Sequence, residues 1–172
     1  IKKFGLGYAP NEWNFLIDFL VKKKNFNIFD LVKTGLVVEG KNYDRFRDRL
    51  MFPIQDIHGN VIGFTARTLK ADEPAKNINT PESVLYHKSS VLYALDKAKK
   101  AIRENNYVII VEGNMDAITA HEAGYKNVVA CSGTALTIEQ INLLKRYTNN
   151  FALCFDQDEA GQKAAERSID LL

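Results

Sequence analysis

Two short acidic stretches hold the residues best suited to chemistry. Val111-Glu-Gly-Asn-Met-Asp116 sets Glu112 and Asp116 four residues apart, and Phe155-Asp-Gln-Asp-Glu-Ala-Gly161 sets Asp156 and Asp158 two apart. Residues two apart in extended backbone share a face, and residues four apart stack along a helix. Carboxylates at this density repel unless a cation joins them. Hard oxygen donors suit Mg²⁺ or Mn²⁺, with waters and substrate phosphates completing the shell. Such a cation bridges phosphate oxygens and lowers the pKa of an attacking hydroxyl, which is what phosphoryl transfer requires. The expected geometry brings the oxygens of Glu112, Asp156 and Asp158 close enough to share one ion. Plainer readings stand beside this one. Asp158 alone reads equally as an N-cap with Glu159 as a first-turn acid, and Asp116 alone as a solvated helix residue. Glu112 is harder to dismiss, because an acid closing a buried strand costs stability without compensation.

A basic constellation precedes the acidic one. In Tyr43-Asp-Arg-Phe-Arg-Asp-Arg49 the arginines alternate, so in extended backbone Arg45, Arg47 and Arg49 project from one face and could bind phosphates. Arg67 closes a later apolar run, and Lys76, Asn79 and Lys88 bracket Asn77-Ile-Asn-Thr-Pro-Glu82. Such residues in a cleft would hold a single strand or a nucleoside triphosphate by its phosphates. For the arginine row alone the better reading is a solvated edge with Asp44 and Asp48 paired to the arginines. The lysines at 22–24 and 97–100 read as solvated faces. His58, His87 and His121 lack metal-ligand spacing, so each reads as hydrogen-bonded or exposed. Ser132-Gly133-Thr134 could approach a phosphate through its backbone, but reads better as a plain turn after a strand.

The elements that must position these residues follow from hydrophobic period. Tyr107–Val111, Asn127–Cys131 and Phe151–Phe155 are β-rich runs expected to be buried strands. Helices are expected over 114–123, from Thr137 with Gln140 completing a capping box, and from Asp158 onward. Alternating strands and helices make a parallel sheet with helices on both faces the expected fold class, α/β. Ligands in such sheets sit beyond the carboxyl ends of the strands, where Glu112 and Asp156 both fall if the first and third strands are neighbours. Before residue 106 the pattern is less regular. Helices are expected over Pro10–Val21, with Trp13, Leu16, Ile17 and Leu20 on one stripe, over Ile28–Lys33, and over Ser90–Glu104. A β-hairpin is expected over Met51–Arg67, and residues 70–80 read as a polar loop.

A length of 172 residues, 46% hydrophobic and 26% charged, fits one domain or two small ones and excludes disorder, collagen and a disulfide-dense miniprotein. No apolar run approaches the ~20 residues that cross a bilayer. The opening Ile1-Lys2-Lys3-Phe4-Gly5 has neither an initiator Met nor a signal-peptide core, so a piece of a longer polypeptide is expected. Cys131 and Cys154 each lie in or at the end of an apolar run and read as buried free thiols in a reducing compartment. The net charge of +2 hides unlike halves: 18 Lys and Arg against 12 Asp and Glu in residues 1–106, then 5 against 9 in residues 107–172. A boundary near Asn105-Asn106 is expected, with a basic α+β part over 1–105 and an acidic α/β part over 106–172.

Taken together, Phe4-Gly-Leu-Gly-Tyr-Ala-Pro10, Tyr43–Ile54, Gly63-Phe-Thr-Ala-Arg67, Asn79-Thr-Pro-Glu82, His87-Lys88, Val111–Asp116, Ser132–Thr137 and Asp156–Gly161 resemble, in order, the catalytic core of bacterial DnaG-type primases. The acidic motifs alone indicate only the Toprim fold, shared with topoisomerases and some nucleases; the arginine-rich and Asn-Thr-Pro-Glu motifs point to primase. The resemblance implies a Toprim-like sheet preceded by a smaller basic subdomain, and a nucleotidyltransferase making short RNA primers on single-stranded DNA from ribonucleoside triphosphates. It implies Glu112, Asp156 and Asp158 as metal ligands, with Asp116 an acidic companion in catalysis. It further implies that Arg45, Arg47, Arg49, Arg67, Lys76, Asn79 and Lys88 hold template and nucleotides.

The sequence departs from the pattern at Gln157, where Gly is usual, and at Asn114, where Tyr is usual; no carboxylate is lost. An amino-terminal zinc-binding domain, part of the basic subdomain, a third acidic motif and a carboxyl-terminal domain contacting the replicative helicase are not in this sequence, so it is expected to be weak or inert alone. The resemblance also implies a cytoplasmic place at the replication fork. Two other readings stay open: a different Toprim enzyme that cuts or rejoins DNA, and a non-catalytic single-strand-binding module.

Overall fold

The computed structural model describes residues 2–132 and 135–172. Gly133 and Thr134, part of the expected plain turn after the second strand, lie outside the described residues. The chain packs as two compact units, one of residues up to 54 with 61–87, the other of residues 55–60 with 88–172. These units divide the chain by packing, whereas the boundary expected near Asn105-Asn106 divides it by charge.

In the first unit, strands β1 (Gly7–Ala9), β2 (Arg49–Gln55), β3 (Val61–Thr68) and β4 (Asn77–Asn79) form one sheet in that order. β1 runs antiparallel to β2 with Ala9 opposite Arg49, and β3 runs antiparallel to β4 with Arg67 opposite Asn77 and Thr65 opposite Asn79. β4 lies within the expected polar loop. Its Asn-Ile-Asn sequence has no apolar period, and its edge pairing rests on backbone groups: Thr68 N–H donates to the Lys76 carbonyl and Thr80 N–H to the Phe64 carbonyl. Leu31, Val37, Phe46, Phe52, Ile54 and Ala66 are buried in this unit.

The expected helix over Pro10–Val21 is shorter and differently wound. It begins as a single turn, α1 (Phe15–Ile17), and continues with π winding over Asp18–Lys23. Its start is fixed from outside, because Asp44 accepts from the N–H groups of Leu16 and Ile17 at 2.6 and 3.1 Å. Trp13 precedes this start and is exposed rather than part of an apolar stripe. α2 (Ile28–Lys33) matches expectation, with Asn27 accepting from Phe29 N–H as its cap. It ends at Gly35, where φ is +73° and a Cβ would come within 2.5 Å of the Pro81 ring, so only glycine fits.

The second unit contains the parallel sheet. β5 (Val108–Val111), β6 (Val128–Ala130) and β7 (Phe151–Cys154) lie in the order β6-β5-β7, all parallel. Helices α3 (Leu95–Asn105), α4 (Asn114–Glu122), α5 (Ile138–Leu144) and α6 (Glu159–Ile169) alternate with the strands. α5 carries the expected capping box between Thr137 and Gln140. α3 starts five residues later than expected, because Ala94 adopts φ +67° and interrupts the helix; Lys88–Ser90 forms a separate 3₁₀ turn. The core joins Leu95, Ala98 and Ile102 of α3 to Val108, Ile110, Val129, Ile141 and Leu144.

Two lysines expected to be solvated instead hold the β2–β3 turn on α3. Lys97, paired with Asp96 at 2.7 Å, donates to Gln55, and Lys99 donates to the Ile57 carbonyl at 2.6 Å. Cys131 is buried as expected, but Cys154 is exposed because it sits on β7, an edge strand whose burial alternates. No helix of the described residues is long and apolar enough to cross a membrane.

Candidate functional site

The strand order puts the acidic motifs together. β5 and β7 are parallel neighbours with Val111 opposite Cys154, so Glu112 and Asp156 leave the sheet from the same edge. There Glu112 Oε1 accepts a hydrogen bond from Asp156 N–H at 2.9 Å, joining segments 44 residues apart. Gly161 at the start of α6 closes on the same point. A Cβ there would lie 2.1 Å from the Asp156 carbonyl oxygen and 2.7 Å from Glu112 Oε1, so only glycine permits this approach. Asp158 caps α6, its Oδ1 accepting from Gly161 N–H at 2.8 Å. Asp116 reaches back from the first turn of α4 to accept from Gly113 N–H at 3.0 Å. Beside them, Ser132 at φ +59° donates to the Asn114 side chain at 2.6 Å.

All four acids therefore stand at one edge of the sheet, yet the expected shared-ion geometry is not met. Among the described residues no three His, Cys, Asp or Glu side chains are grouped so as to hold an ion. Main-chain N–H groups at the strand end and helix starts instead engage one oxygen each of Glu112, Asp158 and Asp116. The plainer reading of Asp158 as an N-cap is thus realised, whereas Asp116 is exposed but engaged at the start of α4 rather than merely solvated. Hydrogen bonding to one oxygen does not exhaust a carboxylate, which can accept at both oxygens. As hard oxygen donors at a solvent-accessible edge, Glu112, Asp156 and Asp158 fit a hard divalent cation by donor chemistry. Cys131, in the strand-end layer behind them, has its thiol pushed up to about 12 by burial and by the charge of Glu112.

The basic residues build a second feature within the first unit. A pocket of about 380 Å³ is lined by Arg45, Arg47, Arg49 and Lys70, with Asp48, Glu73, Trp13, Asn11, Thr68 and Ile78 completing its wall. The three arginines converge there, although not as an extended row, because Asp48 at φ +50° breaks the strand between them. Arg45 Nε donates to the Gly35 carbonyl at 2.7 Å. Arg47 lies 4.2 Å from the Trp13 ring and 4.7 Å from the Tyr43 ring, which meet edge to face, and it donates to the Asp44 carbonyl. Arg49 is buried and donates to carbonyls of Ala75 and Lys76.

The acids expected to neutralise these arginines are employed elsewhere. Asp44 caps α1, and Asp48 accepts from Lys70 and from the Tyr8 hydroxyl. Those two donors, Lys70 foremost, hold the Asp48 carboxyl below its ordinary range, and Asp48 in turn raises Lys70. Arg67 and Lys76 are exposed along β3 and just before β4, and Asn79 is half-buried opposite Thr65. Lys88 is a residue of the second unit and is not among the residues lining this pocket. Trp13, Tyr43, Tyr8 and Lys70 were not anticipated as site residues. Residues 43–47 are not helical, so no local periodicity announces the stacking of Arg47 on Tyr43 and Trp13.

Comparison with known proteins gives consistent results. Residues 1–99 match the family described as DNA primase catalytic core, N-terminal domain, and residues 109–172 match the Toprim-like family. A DNA primase from Synechococcus elongatus is 48% identical over 98% of this chain and 25% of its own length. One from Clostridium acetobutylicum is 44% identical over 100% of this chain and 29% of its own length. The chain thus spans less than a third of these relatives. Among solved structures, the RNA polymerase domain of Mycobacterium tuberculosis primase DnaG superposes with a TM-score of 0.90 at 39% identity, over 98% of this chain and 58% of that one. A DnaG primase catalytic domain bound to single-stranded DNA superposes with a TM-score of 0.86 at 39% identity, over 99% of this chain and 54% of that one.

Proposed function

The chain belongs to the DNA primase catalytic core family, and from this we propose that it works in RNA primer synthesis on a single-stranded DNA template. The reaction is nucleotidyl transfer, in which the 3′-hydroxyl of the growing primer attacks the α-phosphate of an incoming ribonucleoside triphosphate and pyrophosphate leaves. The observation that carries this reading is the Glu112–Asp156 hydrogen bond packed against Gly161, which brings two distant acidic motifs to one sheet edge. Glu112, Asp156 and Asp158 would hold Mg²⁺ or Mn²⁺, which when bound neutralises phosphate charge. Glu112 is central, because the Asp156 N–H fixes one of its oxygens and so orients the other. Asp116 adds negative charge beside it and fixes the start of α4.

Arg45 and Arg47 present guanidinium groups at the pocket and hold phosphates there, while Arg67, Lys76, Asn79 and Lys88 contact template or nucleotide. The basic part, 1–105, serves the nucleic acid and the Toprim part, 106–172, the chemistry. As part of a longer primase, the chain would act beside a zinc-binding amino-terminal domain and a helicase-contacting carboxyl-terminal domain, in the bacterial cytoplasm.

The test is primer synthesis from ribonucleoside triphosphates on single-stranded DNA by the protein that contains this chain. Activity that requires divalent metal and falls at least 100-fold in Glu112→Gln is the expected result. Nicking or relaxation of supercoiled DNA in place of primer synthesis would overturn the reading.

A further inference from the structure

Two consecutive residues, Asp48 just before β2 and Arg49 at its start, grip both arms of the loop between β3 and β4. Asp48 accepts from Lys70 at the beginning of that loop. Arg49 reaches its far end, where Nη1 donates to the Ala75 carbonyl at 2.8 Å and the Lys76 carbonyl at 3.2 Å, and Nη2 meets the Glu73 carboxylate at 3.4 Å. The Arg49 side chain is only 8% exposed. Its fork is therefore spent on carbonyls and a carboxylate of its own chain, which is poor geometry for an anion ligand. The Lys76 carbonyl accepts a second bond from Thr68 N–H, so the backbone of Lys76 is fixed from two sides just before β4 begins.

We propose that Asp48 and Arg49 form a positioning clamp that sets where Lys76 presents its ammonium to nucleic acid, and that Arg49 acts through Lys76 rather than by touching phosphate. The left-handed backbone at Asp48 interrupts the arginine row just before Arg49, which lines the pocket with Arg45 and Arg47 but directs its fork to the loop carbonyls and Glu73. This proposal rests on the reading of Lys76 as a nucleic-acid contact, and the experiment separates the two.

The measurement is the salt dependence of affinity for a fluorescent oligothymidylate, in the intact protein and in three variants. Lys76→Ala should lower the slope of log affinity against log salt by about 1, the signature of one lost phosphate contact. Arg49→Lys should lower it similarly, since an ammonium lacks the planar fork whose Nη1 holds the two carbonyls while Nη2 meets Glu73. The variant with both changes should lose no more than Lys76→Ala. A direct phosphate ligand behaves differently: Arg49→Lys would keep the slope, and the double variant would lose more than Lys76→Ala. Either of these results overturns the clamp while leaving the Lys76 contact intact. An unchanged slope in Lys76→Ala overturns the reading of Lys76 itself. Arg49→Lys preserves the buried positive charge against Glu73, so the fold is retained and the comparison stands on binding.

Discussion

Gly161 and Glu112 illustrate how little room the acidic edge has. A methyl group on residue 161 would stand 2.1 Å from the Asp156 carbonyl, so Gly161→Ala must push the start of α6 away from the strand ends. Overpacking of this kind costs about 1–3 kcal/mol, and here it also separates Asp158 from Glu112. The expected outcome is a lower denaturation midpoint together with weakened Mn²⁺ binding; unchanged values of both would show that the approach is dispensable. The two cysteines give a second residue-scale prediction. Cys154 is exposed, whereas burial pushes the Cys131 thiol up to about 12, so a thiol reagent at pH 8 should modify one cysteine quickly and spare the other until unfolding. Two fast equivalents would contradict the burial of Cys131.

At the scale of elements, the parts that were legible in the sequence share a cause, and so do those that were not. β5, α2, α5 and the parallel order of the sheet follow from local period and from caps such as Asn27 and Thr137, which carry their own signal. α1 does not, because its first N–H groups are satisfied by Asp44, 28 residues away. β4 is held by backbone pairing alone, and the clamp on its loop includes a left-handed Asp48 that no periodicity announces. Removing the remote cap with Asp44→Ala should cost about 1–2 kcal/mol, read by denaturant unfolding. The Asp48–Lys70 tie carries a pH signature. A carboxyl held below its ordinary range contributes stability that is full above that range and is lost as pH falls through its lowered pKa; the raised Lys70 loses its share only in strong alkali. Amide protection in residues 69–76, taken relative to the intrinsic exchange rate at each pH, should thus fall on acidification, and this fall should be absent in Asp48→Asn. Identical acid profiles in the two proteins would contradict the tie.

The whole molecule sets a cluster of arginines in one packing unit and a cluster of acids in the other. A first unit carries an arginine-rich pocket and a second carries acids at a sheet edge, and the proposed nucleotidyl transfer would ask the one to hold phosphates and the other a metal. The carboxylates were recognisable by residue type and by their position after buried strands. Their detailed placement was not, since main-chain donors at the helix starts compete for the same oxygens that a cation would use. Those bonds orient the acids without exhausting them.

Mn²⁺ titration of this chain, followed by the loss of free-ion paramagnetic signal, tests the central claim most directly. Saturable binding that is abolished in Glu112→Gln and in Asp156→Asn is the predicted result. Binding that is absent, or that survives both substitutions, would mean that the acids at this edge serve the fold alone.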